Sequence, residues 1–116
     1  MNLASIADLR LLLMLVSAIV LTGCTAKAEL TMVPEVVREC EAPVATRVIW
    51  DVSPLGLQKA TLEINNIGQP RKFWEAGGAK GSAEAPAWAQ DGYTVTLVSA
   101  NGVVLARRTL MTVPCK

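Results

Sequence analysis

The sequence predicts an all-β fold: a small β-sandwich of about six to seven strands, preceded by an N-terminal signal helix. Three observations lead there. Apolar and polar residues alternate with a period of two along several short runs. Turn-forming residues separate these runs every 8 to 12 residues, and no helix-period segment follows the N-terminal apolar stretch. At 116 residues, with 52% hydrophobic residues and a formal net charge of +1, the chain has the size of one domain and not the composition of a disordered tail.

The first element is the apolar run Leu11 to Leu21, LLLMLVSAIVL, which carries no charge. It falls short of the roughly 20 residues that a helix needs to cross a bilayer, and it matches the core of a signal peptide. The preceding MNLASIADLR sets the amino terminus and Arg10 against Asp8, the weak positive bias such a segment requires. Directly after the core comes Leu21-Thr22-Gly23-Cys24, which resembles the lipobox of bacterial lipoprotein precursors position by position. The resemblance implies that Leu21, Thr22 and Gly23 are read by a signal peptidase, that the Cys24 thiol is alkylated by diacylglycerol, and that cleavage before Cys24 removes residues 1–23. Two or more acyl chains, at about 0.8 kcal/mol per buried methylene, would hold the protein durably on a membrane. Thr25 after the lipidated cysteine implies the cell outer membrane in a host that follows the enteric sorting pattern. The competing readings are a chance tetrapeptide with an ordinary buried Cys24, or a short membrane anchor. Against both stands the motif's position at the end of a core of the right length.

Setting Cys24 aside leaves Cys40 and Cys115, and in an oxidising compartment two cysteines read as one disulfide bracketing the domain. Free thiols or a metal site fit less well, since the chain has no histidine and two cysteines cannot complete a tetrahedral zinc site. Residues 24–39 read as a lipidated tether and 40–116 as the sandwich domain. Val33, Val36 and Val37 leave open that the later tether docks as an extra strand or helical turn, with Pro34 limiting either.

Within the domain, Val44, Thr46, Val48, Trp50 and Val52 alternate with Ala45, Arg47, Ile49 and Asp51 as a half-buried strand, ended by Ser53, Pro54 and Gly56. Lys59 to Ile67 is a second strand with Ala60, Leu62 and Ile64 on one side, broken by Gly68, Gln69 and Pro70. Arg71 to Ala76 is a short third strand, and Gly77, Gly78 and Gly81 suggest a flexible loop carrying Lys80. Ser82 to Trp88 reads as an edge strand, because Pro86 has no place in a central one. Tyr93 to Ser99 and Val103 to Val113 form a hairpin through Asn101-Gly102.

Trp50 in an early strand, Asp91-Gly92-Tyr93 ahead of a strand and the alternating YTVTL after it give about 70 residues a loose resemblance to immunoglobulin-like and fibronectin-type-III-like domains. The resemblance implies a tyrosine corner, in which the Tyr93 hydroxyl bonds back to earlier backbone. The bracketing cysteines depart from the immunoglobulin pattern.

Chemistry-bearing residues are sparse. With no histidine, and no serine in a nucleophile elbow or a Ser-x-x-Lys pattern, no catalytic set emerges; Glu75, Glu84 and Asp91 read as solvated surface. The expectation is a protein without catalytic residues, cofactor or metal. Ten basic side chains after Cys24 face nine acidic ones, which speaks against nucleic acid, and Arg71-Lys72 and Arg107-Arg108 read as solvated strand ends. Trp74, Trp88 and Lys80 are the candidate binding residues, with core filling as the competing role of the tryptophans. Together these features suggest a non-enzymatic, membrane-anchored binding or structural module of the cell envelope, with an envelope protein or glycan as partner. The alternative is an inhibitor or assembly-factor lipoprotein, lysozyme-inhibitor-like or a secretion or pilus accessory, acting through the Gly77 to Gly81 loop.

Overall fold

The computed structural model describes residues 26–115; the signal segment and the Leu21-Thr22-Gly23-Cys24 motif lie outside the described residues. Nine strands follow one another: β1 (Glu29–Val33), β2 (Val36–Arg38), β3 (Val44–Asp51), β4 (Lys59–Asn65), β5 (Lys72–Gly78), β6 (Lys80–Ala89), β7 (Thr94–Val98), β8 (Val104–Thr109) and β9 (Met111–Val113). They form a three-stranded sheet in the order β1-β3-β6, a four-stranded sheet in the order β5-β4-β7-β8, and a pair β2-β9. Only the β2-β9 pairing is parallel. One apolar cluster lies between the sheets, with Leu30, Val48 and Trp50 from one and Leu62, Val95 and Leu97 from the other. This is an all-β sandwich, as the alternation requires: Thr46, Val48, Trp50 and Val52 are buried while Ala45, Arg47 and Ile49 face water.

The strand number exceeds the expected six or seven chiefly because the expected tether is folded. In ELTMV, Leu30 and Met32 are buried and their neighbours exposed, and the strand pairs with β3 from Glu29↔Asp51 to Val33↔Arg47. Pro34, with no N–H to donate, ends it. Val36–Arg38 then crosses to β9, and of Val33, Val36 and Val37 only Val37 is buried. The folded unit thus begins at Glu29 and not at Cys40. Arg108 ties this segment across the open side of the sandwich, its Nε donating to the Leu30 carbonyl at 3.0 Å.

β6 is an edge strand, and Pro86 sits where pairing with β3 slips between Val44↔Ala89 and Thr46↔Ala85. Pro86, Ala87 and Trp88 there oppose Ala45 alone, so the missing N–H leaves no gap in the ladder. The glycine-rich stretch is not the expected flexible loop. Gly77 and Gly78 close β5, Gly81 lies in β6, and the chain passes from one sheet to the other at Ala79, whose carbonyl accepts from Val52 N at 2.7 Å. The glycines leave room for an indole. A Cβ on Gly81 would fall 2.7 Å from Cη2 of Trp50, one on Gly77 3.2 Å from the same atom, and Trp50 Nε1 donates to the Gly78 carbonyl at 3.1 Å.

The last hairpin turns through Asn101-Gly102 with Gly102 at φ 83°, in the left-handed region. Its second strand is broken at Leu110: β8 pairs with β7, then Leu110 N donates to the Tyr93 carbonyl at 2.8 Å and Met111 N to the Glu35 carbonyl at 2.9 Å, starting β9. Cys40 and Cys115 are disulfide-bonded, with Cα atoms 6.1 Å apart, and the bond closes the end of the sandwich where β9 finishes. Tyr93 is buried, but its hydroxyl has no hydrogen-bond partner, so the bond implied by a tyrosine corner is not made.

Candidate binding groove

Side chains on the outer face of the four-stranded sheet follow from register. Phe73, Glu63, Thr96 and Arg107 stand in one row across β5, β4, β7 and β8. The adjoining pair Thr94↔Thr109 lies one step towards the Asn66–Gly68 turn. Central β7 is covered on both sides: Thr96 is fully buried although it points outward, with Arg107 Nε 3.4 Å from its hydroxyl.

The turn between β4 and β5 completes the site. Gln69 N donates to the Asn66 carbonyl at 3.0 Å, and Gly68 takes a left-handed φ of 76°, which returns the chain so that Arg71 follows Pro70 beside Glu63. The result is an open groove of about 600 Å³ at the end of the sheet, in which Arg71 and Arg107 face Asn65, Gln69, Thr94 and Thr109. Arg71 Nε is 3.4 Å from Glu63 Oε1, a loose half-exposed ion pair that leaves the remaining guanidinium donors for a ligand.

The hydroxyl pair has a defined polarity. Thr94 Oγ1 lies 3.0 Å from the Gly92 carbonyl, which can only accept, so Thr94 spends its proton there. The 2.9 Å contact between the two threonines is then donated by Thr109, whose oxygen keeps its capacity to accept. The groove therefore offers guanidinium donors on either side and acceptors along its floor, a set suited to a carboxylate that also carries hydroxyl groups.

The residues singled out from sequence do not form one surface. Trp74 is the extra residue of a bulge in β5, opposite Leu62 and Glu63, and packs half-buried against the core. Trp88 is 46% exposed. Lys80 stands at the opposite end of β6 from Trp88, some 26 Å away at about 3.3 Å per residue, and faces Asp51 at 3.9 Å. Glu84, paired with Arg47 at 2.9 Å, and Glu75 lie on different sheets, while Asp91 accepts from Thr112 N at 2.9 Å. Among the described residues no group of three His, Cys, Asp or Glu is placed to hold a metal ion. Arg71 and Arg107, read from sequence as strand ends, are the two that converge. Only the strand order and register bring residues so far apart in sequence together.

Two titrating groups are shifted. Burial raises the Tyr93 phenol above its ordinary pKa of 10.0; the neighbouring Trp88 side chain, which does not reach it with hydrogen-bond geometry, offsets only part of the effect. Hydrogen bonds from the Ser53 side chain and backbone lower the Asp51 carboxyl, and Lys80 adds to them. Neither group lines the groove. The chain matches no family model, no curated protein and no solved structure.

Proposed function

We propose that this protein is a non-enzymatic, lipid-anchored module of the cell envelope, with an immunoglobulin- or fibronectin-like sandwich, that binds a carboxylate-bearing glycan in the Arg71–Arg107 groove. The observation that carries the reading is the convergence of these two arginines on one groove that also presents the amides of Asn65 and Gln69, the hydroxyls of Thr94 and Thr109 and the ring of Pro70. Guanidinium groups match carboxylates with paired donors, and amide and hydroxyl groups suit sugar hydroxyls. Phe73, 67% exposed and in the same cross-strand row as Arg107, adds an apolar platform for a sugar ring. The N-terminal lipobox resemblance supports the anchor, and the disulfide suits an oxidising compartment.

The test is calorimetric titration of the mature protein with soluble muropeptides and with the same muropeptides carboxamidated. Binding of the acidic form alone, weakened about 10- to 100-fold when either arginine becomes glutamine, is the expected result, from about 1.5–3 kcal/mol per charge-assisted contact. Equal affinity for both forms, or no effect of Arg71→Gln and Arg107→Gln, refutes the assignment.

A further inference from the structure

Resting on the reading of Cys24 as acylated, we infer that the N-terminal pole of the sandwich lies against anionic lipid headgroups through two uncharged loops, residues 52–58 and 99–103. Strand direction gathers these loops at one end: β1 starts there, β3 and β7 finish there, and β4 and β8 start there. Pro54 lies beside Lys27 and Ala28, and Leu57, Gln58 and Lys59 lie beside Ser99, Ala100 and Asn101.

The length of chain leading to this pole restricts its position. Since strand pairing begins at Glu29, only five peptide steps separate it from Cys24, a span of at most about 18 Å even when fully extended. An acylated sulfur in the headgroup region therefore holds this end at the surface.

The composition of the pole matches that position. VSPLGLQ (52–58) and SANGV (99–103) contain no charged residue, so their approach to lipid strips no ion of water. Leu55, Val103 and Val104 at this end are 37%, 57% and 42% exposed. Lys27, Lys59 and Lys80 lie at this end against Glu29 and Asp51, so the rim of the pole keeps a net positive charge complementary to anionic headgroups. Asp51, on the outer face of β3 beside Lys80, is held by its own turn, its Oδ1 accepting from Ser53 N at 2.9 Å and from Ser53 Oγ. The opposite end holds Glu39, Glu41, Arg71 and Asp91 on its turns and Arg38 at the end of β2, so the loops at the two poles differ in kind. With the pole seated on lipid, the Arg71–Arg107 groove faces away from the membrane.

The test uses full-length mature protein in phosphatidylethanolamine–phosphatidylglycerol vesicles with and without brominated acyl chains. Tryptophan is introduced singly as Leu55→Trp, Val103→Trp or, at the far pole, Ile67→Trp, and the parent's emission is subtracted. The added emission of the first two should shift to the blue and lose intensity with brominated lipid, while that of Ile67→Trp should not. Intact mass of the same samples reports acylation. An acylated protein in which all three report alike, none quenched, overturns the inference alone; an unacylated mass overturns the anchor reading and the inference with it.

Discussion

The fit of Trp50 between Gly77 and Gly81 makes a prediction whose size can be worked out. In Gly81→Ala the new methyl carbon would stand 2.7 Å from Cη2 and 2.9 Å from Cε2 of Trp50, where carbon atoms prefer about 3.5–4.0 Å. The indole must retreat by about 1 Å to restore that spacing. It is 5% exposed within a core shared by both sheets, and any retreat stretches its bond to the Gly78 carbonyl. Overpacking costs about 1–3 kcal/mol and the weakened hydrogen bond about 1 kcal/mol, so a loss of about 2–4 kcal/mol is expected. For a domain of this size each kcal/mol moves Tm by about 4–8 °C, which makes the drop roughly 10–30 °C. Gly78→Ala is the internal control, because its Cβ would meet nothing nearer than the Gln58 carbonyl at 3.9 Å. Thermal and urea unfolding followed by circular dichroism would measure both. Trp50→Phe removes the benzo ring, so Gly81→Ala should cost far less in that background, a coupling that a double-mutant cycle reads directly. If Gly81→Ala unfolds within about 0.5 kcal/mol of Gly78→Ala, the sheet-crossing corner does not seat the indole as described.

Reducing the Cys40–Cys115 bond, or replacing both cysteines by serine, frees a loop of sequence separation 75 and should lower stability by about 4.5 kcal/mol on the chain-entropy account, measured as a fall in urea midpoint. Tyr93→Phe and Thr46→Val each remove a buried hydroxyl without a partner, so both should be neutral or stabilising by up to about 1 kcal/mol; a clear loss would mean a partner is present. Because the folded-state pKa of Tyr93 is raised, its contribution is complete below the unfolded value of 10.0 and is lost as pH climbs through the folded one; the alkaline fall in Tm should be shallower in Tyr93→Phe. Arg71→Gln and Arg107→Gln, at exposed positions, should leave Tm within about 2–4 °C of the parent, so a binding defect in either is not a folding defect.

The period-two pattern was legible where strands are long and one-sided. β3 and β4 bury the residues whose alternation marks them, since a strand that covers a core on one face must alternate. β7 departs from alternation because it is central in its sheet: Val95 and Leu97 face the core, while Thr96 is closed over by long side chains of its neighbours. β1 is hard to read from sequence because five residues with a proline just beyond them give too short a signal, although Leu30 and Met32 do alternate with exposed neighbours. Glycines 77, 78 and 81 suggest flexibility in the sequence because a glycine cluster signals freedom unless something fills the space above it. Here Trp50 fills it, from a strand 27 residues earlier than Gly77, and no local window contains both.

The groove was illegible for a related reason. Arg71 lies beyond the β4–β5 turn and Arg107 near the end of the last hairpin, and each looks locally like any charged residue at a strand end. They meet because β4 and β7 stand side by side between β5 and β8, an order that the sequence alone leaves undetermined among many sandwich topologies. Glu63 sharpens the point. Paired with Phe73 on one side and Thr96 on the other, it sets its carboxylate against Arg71, and that contact is loose enough for a bidentate ligand carboxylate to compete. Glu63→Gln should therefore strengthen binding of an acidic ligand, since the groove would lose its internal competitor and keep both cations. Weaker binding in that variant would mean that Glu63 orients Arg71 instead of competing for it.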